Sequence, residues 1–294
     1  MKYLDPGCGK TSQGYLWTYL DPQKGTVYYD WRLGRGHDCL VDILGLDKEN
    51  GSAHSPRIIQ CDGFSAYEAL TKRYKDIRLG GCLAHIRRKF FEAKEQAPEV
   101  VLPILTDIQE LYRIERWLRK TKAPPQCREL VRRARSRQVV ETLHEKILTE
   151  RKSHLPRSNL GKAITYALGQ WEAFALFLEE GRLELDSNLV EPNEVRQTTQ
   201  SVARRATNGS QYAIRPAKLG LKNYLFIGSA EAGDTSALIY TLMANCKAHD
   251  LDPEVYLAEA IKRLPTNATV DQAAALTPSS LADELRPVKE AAAA

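Results

Sequence analysis

The sequence predicts an α/β (α+β) fold, in which a mixed sheet is flanked by helices and interrupted by a large helical insertion. Two observations support this class. Strand-like and helical patterns alternate over residues 1–62, whereas from Ser65 to Leu178 apolar residues recur mainly at helical spacing. The chain has 294 residues, 43% of them hydrophobic, which is enough for a buried core in one large domain or two small ones.

The first predicted elements are the strands of a β-hairpin. Residues 15–20 and 26–33 are rich in aromatic and β-branched side chains, and a short turn with Pro and Gly separates them. A helical stretch around residues 37–46 and a strand over Arg57–Cys61 follow. The order strand, strand, helix, strand is compatible with a mixed sheet, so we assign residues 1–84 to the N-terminal part of a sheet domain.

Residues 85–180 are predicted to form the helical insertion. Apolar side chains recur there three or four residues apart, as on the buried face of a helix. The stripes consist of Ile86, Phe90 and Ala93; of Ile104, Ile108, Leu111, Ile114 and Leu118; and of Leu160, Ile164, Leu168, Trp171, Ala175 and Leu178. The last stripe predicts one long helix that ends just before Gly181.

Residues 181–265 are predicted to complete the sheet domain, and residues 266–294 to form a disordered tail. Helices are expected over Thr235–Ala248 and over Glu254–Arg263, the second of which begins after an Asp-Pro pair. From Thr266 onward Ala, Thr, Ser and Pro dominate, and this composition favours disorder.

Charge and cysteine content indicate the class of partner and the compartment. A net charge of +5, from 42 Lys and Arg against 37 Asp and Glu, permits a polyanionic partner without requiring one. The cysteines are Cys8, Cys39, Cys61, Cys82, Cys127 and Cys246. No two have the short spacing of zinc sites, which predicts reduced thiols in a cytoplasmic protein. No apolar run reaches the ~18 residues of a membrane span, so we expect neither membrane insertion nor export.

Two stretches carry candidate chemistry. In GRLELDSNLVE, residues 181–191, a polar break after a helix presents the carboxylate of Glu191 just before a basic segment. Upstream, an apolar run ends at Asp62, and Gly63 opens a turn into a helical pattern. The first stretch alone is also explained by a capped turn with one surface Glu. The functional interpretation therefore depends on both stretches together.

These stretches belong to a collinear set of motifs: QCDGFSAYEAL, CLAHIRRKFFEA, LGKAITYALGQWEAF, GRLELDSNLVE, AIRPAKLGLKNYLFIGS and LDPEVYL. Together they resemble the C-terminal catalytic half of transposases of the insertion-sequence-66 family over most of residues 1–260. The resemblance implies a ribonuclease H-like domain that cleaves and transfers DNA strands at the ends of an insertion sequence. It also implies a homo-oligomer on DNA and Mg²⁺ or Mn²⁺ as the cofactor, with two ions in an intact site.

By this resemblance, two carboxylates are expected to be catalytic metal ligands. Asp62 matches the second acid of the family's Asp-Asp-Glu triad, and Glu191 matches the final Glu. Their carboxylate oxygens are the hard ligands that Mg²⁺ selects, and two divalent ions can activate an attacking oxygen at a phosphodiester. Asp62 and Glu191 must therefore converge in space.

The chain departs from the family pattern in two places. The leading Asp of the family precedes the LDPG segment, which here occupies residues 4–7, so we expect the first metal ligand and the first strand to be absent. An extra segment, residues 192–212, follows Glu191 and makes Glu194 the reserve candidate. These departures favour an alternative: a catalytically inactive, truncated transposase fragment that only binds DNA or full-length transposase.

Clustered basic residues are the candidates for DNA contact, because Lys and Arg neutralise phosphates. Within the family-like motifs they are Arg87, Arg88, Lys89, Arg215, Lys218 and Lys222. The clusters at residues 113–120 and 132–137 are equally well explained as solvated helix faces. His85 is either a hydrogen-bonded structural residue or a group that positions a phosphate or a water near the metals.

Overall fold

The structure of the protein is a computed structural model, and it describes most of the chain. The described residues are 1–5, 9–21, 24–47, 57–187, 217, 220 and 226–286. They form a mixed α/β structure that is mostly helical and contains three two-stranded sheets. The predicted α/β class is therefore confirmed, whereas the single mixed sheet is not seen in these residues.

Helices make up most of the described structure. The helices are α1 (Asp38–Ile43), α2 (Ser65–Arg73), α3 (Leu83–Glu92), α4 (Pro98–Lys120), α5 (Pro125–Val131), α6 (Arg137–Glu150), α7 (Asn159–Gly169), α8 (Trp171–Ala175), α9 (Ala230–Ala248), α10 (Pro253–Arg263), α11 (Val270–Ala274) and α12 (Ala282–Leu285). A π-helical turn spans Arg132–Ser136 and a 3-10 turn spans Leu176–Leu178. None of the helices in the described ranges is long and apolar enough to cross a membrane.

The chain divides into two compact units. The first comprises Met1–Arg35 and Asn188–Ala294, and the second comprises Gly36–Ser187. These divisions differ from the predicted boundaries after residues 84 and 180. The assignment of the predicted segments to catalytic and inserted parts stays a prediction.

The strands of the first unit form two antiparallel pairs. Strand β1 (Lys2–Leu4) pairs with β2 (Thr11–Gln13), and β3 (Tyr15–Asp21) pairs with β4 (Thr26–Arg32). The second pair is the predicted hairpin, which the structure confirms. The side chains that β4 turns into the core are Val27, Tyr29 and Trp31. They alternate along the strand, as one buried face of a sheet requires.

Helix α9 covers one edge of β4. The side chain of Asn245 accepts from the amide of Val27 (3.0 Å) and donates to its carbonyl (2.7 Å). Thr241 Oγ1 accepts from the amide of Tyr29 (3.0 Å). These side chains satisfy backbone groups that a neighbouring strand would otherwise bind. Among the described residues, the hairpin forms a two-stranded sheet of its own.

Residues 266–286 are folded, which corrects the expected disorder for this part of the tail. Helix α11 begins with a capping box. The hydroxyl of Tyr256 on α10 donates to the carbonyl of Leu276 (2.9 Å), and Leu281 is buried in the same cluster. A few apolar side chains packed on α10 thus order a segment whose composition favours disorder. Residues 287–294 lie outside the described part of the chain.

The second unit contains a parallel strand pair joined by a helix. Strands β5 (Arg57–Gln60) and β6 (Ile77–Gly80) pair in parallel, and α2 connects them. Parallel strands need such a crossover, because a tight turn reverses the chain. The predicted strand before Asp62 and the predicted helix after Gly63 are both confirmed.

The predicted apolar stripes form the core of the second unit. Their buried members include Ile86, Phe90, Ile104, Ile108, Leu111, Leu160 and Ile164. The third stripe, which begins at Leu160 and is predicted to form one long helix, is divided between α7 and α8. Helix α7 ends at Gly169, and the backbone at Gln170 (φ −100°, ψ 4°) redirects the chain into α8. Gly81 accounts for the new direction: its amide donates to the Ala173 carbonyl (2.8 Å), and its lack of a side chain admits the backbone of Phe174.

A buried ion pair ties the chain after α8 to α4. Arg132 donates to both carboxylate oxygens of Glu115, from Nε (2.7 Å) and from Nη2 (2.8 Å). Its other N–H groups donate to the carbonyls of Phe177, Glu180 and Leu183 at 2.8 to 2.9 Å. Burial alone would raise the pKa of Glu115, but hydrogen bonds from two arginines hold it below its ordinary value. All five N–H donors of the guanidinium are thus satisfied inside the core.

We expect Arg132→Met to lower the free energy of unfolding by about 3 to 5 kcal/mol, because it leaves the buried Glu115 carboxylate with Arg128 alone and removes the donor of three carbonyls. Urea denaturation followed by circular dichroism measures the change. The control is Arg133→Met at the neighbouring exposed position, which should change the free energy by less than about 0.5 kcal/mol. Adding Glu115→Leu to Arg132→Met should recover much of the loss. Equal effects of the two single variants would contradict the buried pair.

Candidate active site at the ends of strands β5 and β6

The parallel pair places Asp62 at the carboxyl end of β5. The amide of Cys61 continues the strand ladder by donating to Gly80 O (2.9 Å), and the chain then leaves the sheet. Gly63 has a φ of +80°, and Asp62 Oδ1 accepts from the amide of Phe64 (3.2 Å). This turn, predicted from the sequence, orients the carboxylate and starts α2. Within the described ranges the half-buried Asp62 carboxylate forms no ion pair.

Tyr166 on α7 holds the backbone of Asp62. Its hydroxyl donates to the Asp62 carbonyl (2.7 Å). Burial, and then neighbouring acidic groups that include Asp62, raise the pKa of Tyr166 far above its ordinary value. The hydroxyl therefore stays protonated and remains a donor at physiological pH. Helix α7, which belongs to the predicted insertion, thus positions Asp62 at the end of β5.

Cys82, at the carboxyl end of β6, binds the chain that follows α8. Its buried Sγ accepts from the amide and the hydroxyl of Ser187 (both 3.3 Å) and lies 3.1 Å from His85 Nδ1. The amide of Leu83 donates to the Leu185 carbonyl (2.8 Å). Burial raises the pKa of the Cys82 thiol, so the sulfur is a neutral acceptor. His85 therefore has a structural contact, and its role toward a phosphate or water stays a prediction.

Asp186 is a second carboxylate close to Cys82. It is only 7% exposed, and it shares a hydrogen bond with the hydroxyl of Tyr112 on α4. Burial, and then the charge of Asp186, raise the pKa of Tyr112 far above its ordinary value. Sequence reasoning missed Asp186, because it treated the residue as part of a polar break. The alternation of Leu183 and Leu185 indicates an extended segment, but it would place Asp186 on the opposite face, so the sequence gives no signal for its burial.

Two of the predicted DNA-binding arginines act on the tyrosines of this site. The charge of Arg87 lowers the pKa of Tyr112, and that of Arg88 lowers the pKa of Tyr166, in both cases against the larger effect of burial. Arg88 and Lys89 both form surface ion pairs with Glu92 at the end of α3. The charges of Arg87 and Arg88 therefore influence the tyrosines of the candidate site, and the DNA-binding role of all three basic residues stays a prediction.

Comparison with known proteins identifies the family. Residues 1–235 match the family model described as Transposase IS66 family. The chain belongs to the IS66 transposase family. It is 33% identical over 289 residues to the uncharacterized protein y4qI of Sinorhizobium fredii (strain NBRC 101917 / NGR234). The uncharacterized proteins y4jD and y4hP of the same strain are 30% identical over 293 residues and 29% identical over 280 residues. No solved structure matches the chain significantly.

The alignments cover nearly all of this chain but less of its relatives. They include 94%, 94% and 87% of the chain, and 48%, 51% and 45% of y4qI, y4jD and y4hP respectively. The chain thus spans about half the length of the curated relatives it matches. The resemblance to IS66 transposases is confirmed for the family, and the narrower assignment to the C-terminal catalytic portion stays a prediction.

In this IS66 transposase chain, the predicted metal site is only partly within the described residues. Among those residues, no group of three or more His, Cys, Asp and Glu side chains could hold a metal ion. The carboxylate of Asp62 fits a hard cation, because it is half-buried and its oxygens are of the type that Mg²⁺ prefers. The other predicted site residues, Glu191, Glu194, Arg215, Lys218 and Lys222, lie outside the described ranges, and their roles stay predictions.

The buried thiol of Cys61 should make stability depend on pH. Burial raises the pKa of Cys61 to about 12, compared with about 8.5 in an unfolded chain. The folded state favours the neutral thiol, so this contribution is complete below pH ~8.5 and is lost as pH rises toward 12, by at most ~1.4 kcal/mol per pH unit.

Urea denaturation at several pH values between about 8.5 and 10 measures this dependence. Cys61→Ala should flatten the decrease in stability, whereas Cys127→Ala, which removes an exposed thiol, should leave it unchanged. The same slope for Cys61→Ala and the wild-type chain would show that the Cys61 thiol is not the source.

Proposed function

We propose that this chain carries catalytic residues for DNA strand cleavage and strand transfer during transposition of an insertion sequence. In this proposal, β5 and β6 belong to a ribonuclease H-like arrangement, and Asp62 and Glu191 are its metal ligands. Membership of the IS66 family supports a DNA-cutting enzyme in general. The observation that supports the residue roles is that Asp62 and the segment 184–187 lie at one edge of the parallel strand pair.

Contacts from both strands hold the segment 184–187 at this edge. Gln60 on β5 donates from Nε2 to the carbonyl of Glu184 (2.6 Å), while Ser187 is bound at the end of β6. The carboxyl ends of neighbouring parallel strands are where α/β sheets bind their ligands. Glu191 follows Ser187 by four residues, and four residues span at most about 14 Å. Asp62 and Ser187, the last described residue before Glu191 in the sequence, therefore lie at the same edge of the sheet.

The chain's own residues would hold the reacting groups in place. Asp62 and Glu191 would bind Mg²⁺ or Mn²⁺; a bound pair of such ions activates the attacking oxygen and neutralises charge on the phosphoryl group. The turn at Gly63 and the hydroxyl of Tyr166 keep the Asp62 carboxylate in one position. Arg88, whose charge reaches Tyr166, would neutralise a phosphate at the same edge.

DNA is the proposed partner, and a homo-oligomer on DNA is the proposed assembly. Arg87 and Arg88 are the described candidates for contacts with the DNA backbone, and Arg215, Lys218 and Lys222 are further ones. Contacts of this kind release counterions from DNA, so the affinity should fall steeply with salt.

Asp62→Asn is expected to reduce Mg²⁺-dependent strand cleavage by about 100-fold or more, because it removes a ligand of a metal that stabilises the transition state by several kcal/mol. DNA affinity should change by less than about two-fold, since phosphate contacts supply most of it. Nicking of supercoiled DNA with Mg²⁺ or Mn²⁺, together with a gel-shift titration, measures both quantities. Asp271→Asn, which alters an exposed acid of the first unit, is the matched control and should leave cleavage unchanged.

The same assay identifies the second acid. Glu191→Gln should abolish cleavage if Glu191 is the ligand, whereas loss with Glu194→Gln alone would transfer that role to Glu194. Full activity of Asp62→Asn would remove Asp62 from the mechanism. Salt-sensitive DNA retention by the wild-type chain without any metal-dependent product would instead support the alternative, an inactive fragment that binds DNA or full-length transposase.

A further inference from the structure

A basic groove with an exposed tryptophan lies on the second unit, along the last turns of α4. It has a volume of about 310 Å³. The lining residues are Arg113, Ile114, Arg116, Trp117, Lys120 and Arg135. No carboxylate occurs among these described lining residues, so the groove presents a positive surface.

The basic residues of this region have three kinds of environment. Arg132 is buried against Glu115, so it serves the core. Arg113 is exposed but donates to the carboxylate of Glu110 from Nε (2.6 Å). The other cations of the groove are Arg116, Lys120 and Arg135, which are exposed and form no ion pair with any described residue. Their charges are therefore available to an external anion.

Trp117 is the second feature of the groove. Its side chain is 51% exposed, although Trp is usually buried in a monomeric fold. On the surface of a helix, residues three and four positions apart are neighbours, so Lys120 and Arg113 flank the indole ring. Exposed aromatic rings beside Lys and Arg are typical of surfaces that bind single-stranded nucleic acid, where bases stack on the rings and phosphates meet the cations.

We propose that this groove binds single-stranded DNA, with an unpaired base stacked on Trp117 and the flanking phosphates bound by Arg116, Lys120 and Arg135. The inference rests on DNA being the partner under the proposed function. Base pairing hides the faces of bases in a duplex, so the stacking contact selects unpaired nucleotides. An acidic protein segment would use the cations equally well but would gain nothing specific from the indole ring.

The test is a fluorescence anisotropy titration without divalent metal, so that no cleavage occurs. The probe is a labelled thymidine oligonucleotide of about 20 nucleotides, which is long enough for the usual site sizes of such surfaces. Trp117→Ala should weaken its binding by about 5-fold to 150-fold, and Trp117→Phe should restore most of the affinity, because Phe also stacks. Binding of a duplex of the same length should change by less than two-fold in both variants.

The cations are tested by the salt dependence of binding. Arg116→Ala combined with Lys120→Ala should reduce the slope of log affinity against log salt by about 1.4 for the oligonucleotide, which corresponds to two lost phosphate contacts. Leu102→Ala removes another exposed apolar side chain of α4, and Arg151→Ala removes another exposed cation. Both controls should bind the oligonucleotide like the wild-type chain.

Two results would overturn the proposal: wild-type affinity of Trp117→Ala for the oligonucleotide, or an equal loss of affinity for duplex and oligonucleotide. The binding result for the groove does not depend on whether Asp62 is catalytic. Asp62→Asn should bind the oligonucleotide normally, so weak binding by Trp117→Ala would support the groove even if Asp62 proved dispensable for cleavage.

Discussion

The buried pair of Arg132 and Glu115 is the contact on which the second unit depends. A guanidinium placed in the core must satisfy every N–H group, and Arg132 does so with one carboxylate and three carbonyls. The carbonyls belong to Phe177, Glu180 and Leu183, so one side chain sets the path of the chain that leaves α8. That chain then runs along the ends of β5 and β6, where the candidate site is formed.

The two acids at this edge have different surroundings, and this difference suggests different roles. Asp62 is half-buried, follows a strand directly and is oriented by a tight turn. Asp186 is buried and shares its hydrogen bond with Tyr112, an arrangement that suits a structural acid more than a metal ligand. Cys82, at the carboxyl end of β6, accepts hydrogen bonds from Ser187, the residue after Asp186. Burial keeps its thiol protonated, so the sulfur is a neutral acceptor.

Basic residues that look alike in the sequence have unlike environments in the fold. The cluster at residues 132–137 begins with a buried Arg132 and continues with exposed arginines. Arg88 and Lys89 both form surface ion pairs with Glu92, whereas Arg116 forms none with a described residue. Counting positive charges therefore did not distinguish cations that hold the core from cations that face solvent.

The sequence by itself determined the local elements: the hairpin, the turn at Asp62 and Gly63, and the helical stripes of the second unit. Each depends on residues close together in the chain, and the motifs among them also determined the family. Only the tertiary structure decided that Arg132 and Asp186 are buried, and that residues 266–286 are ordered. These outcomes depend on which distant segment supplies a hydrogen-bond partner or an apolar surface, and local periodicity contains no information about that partner.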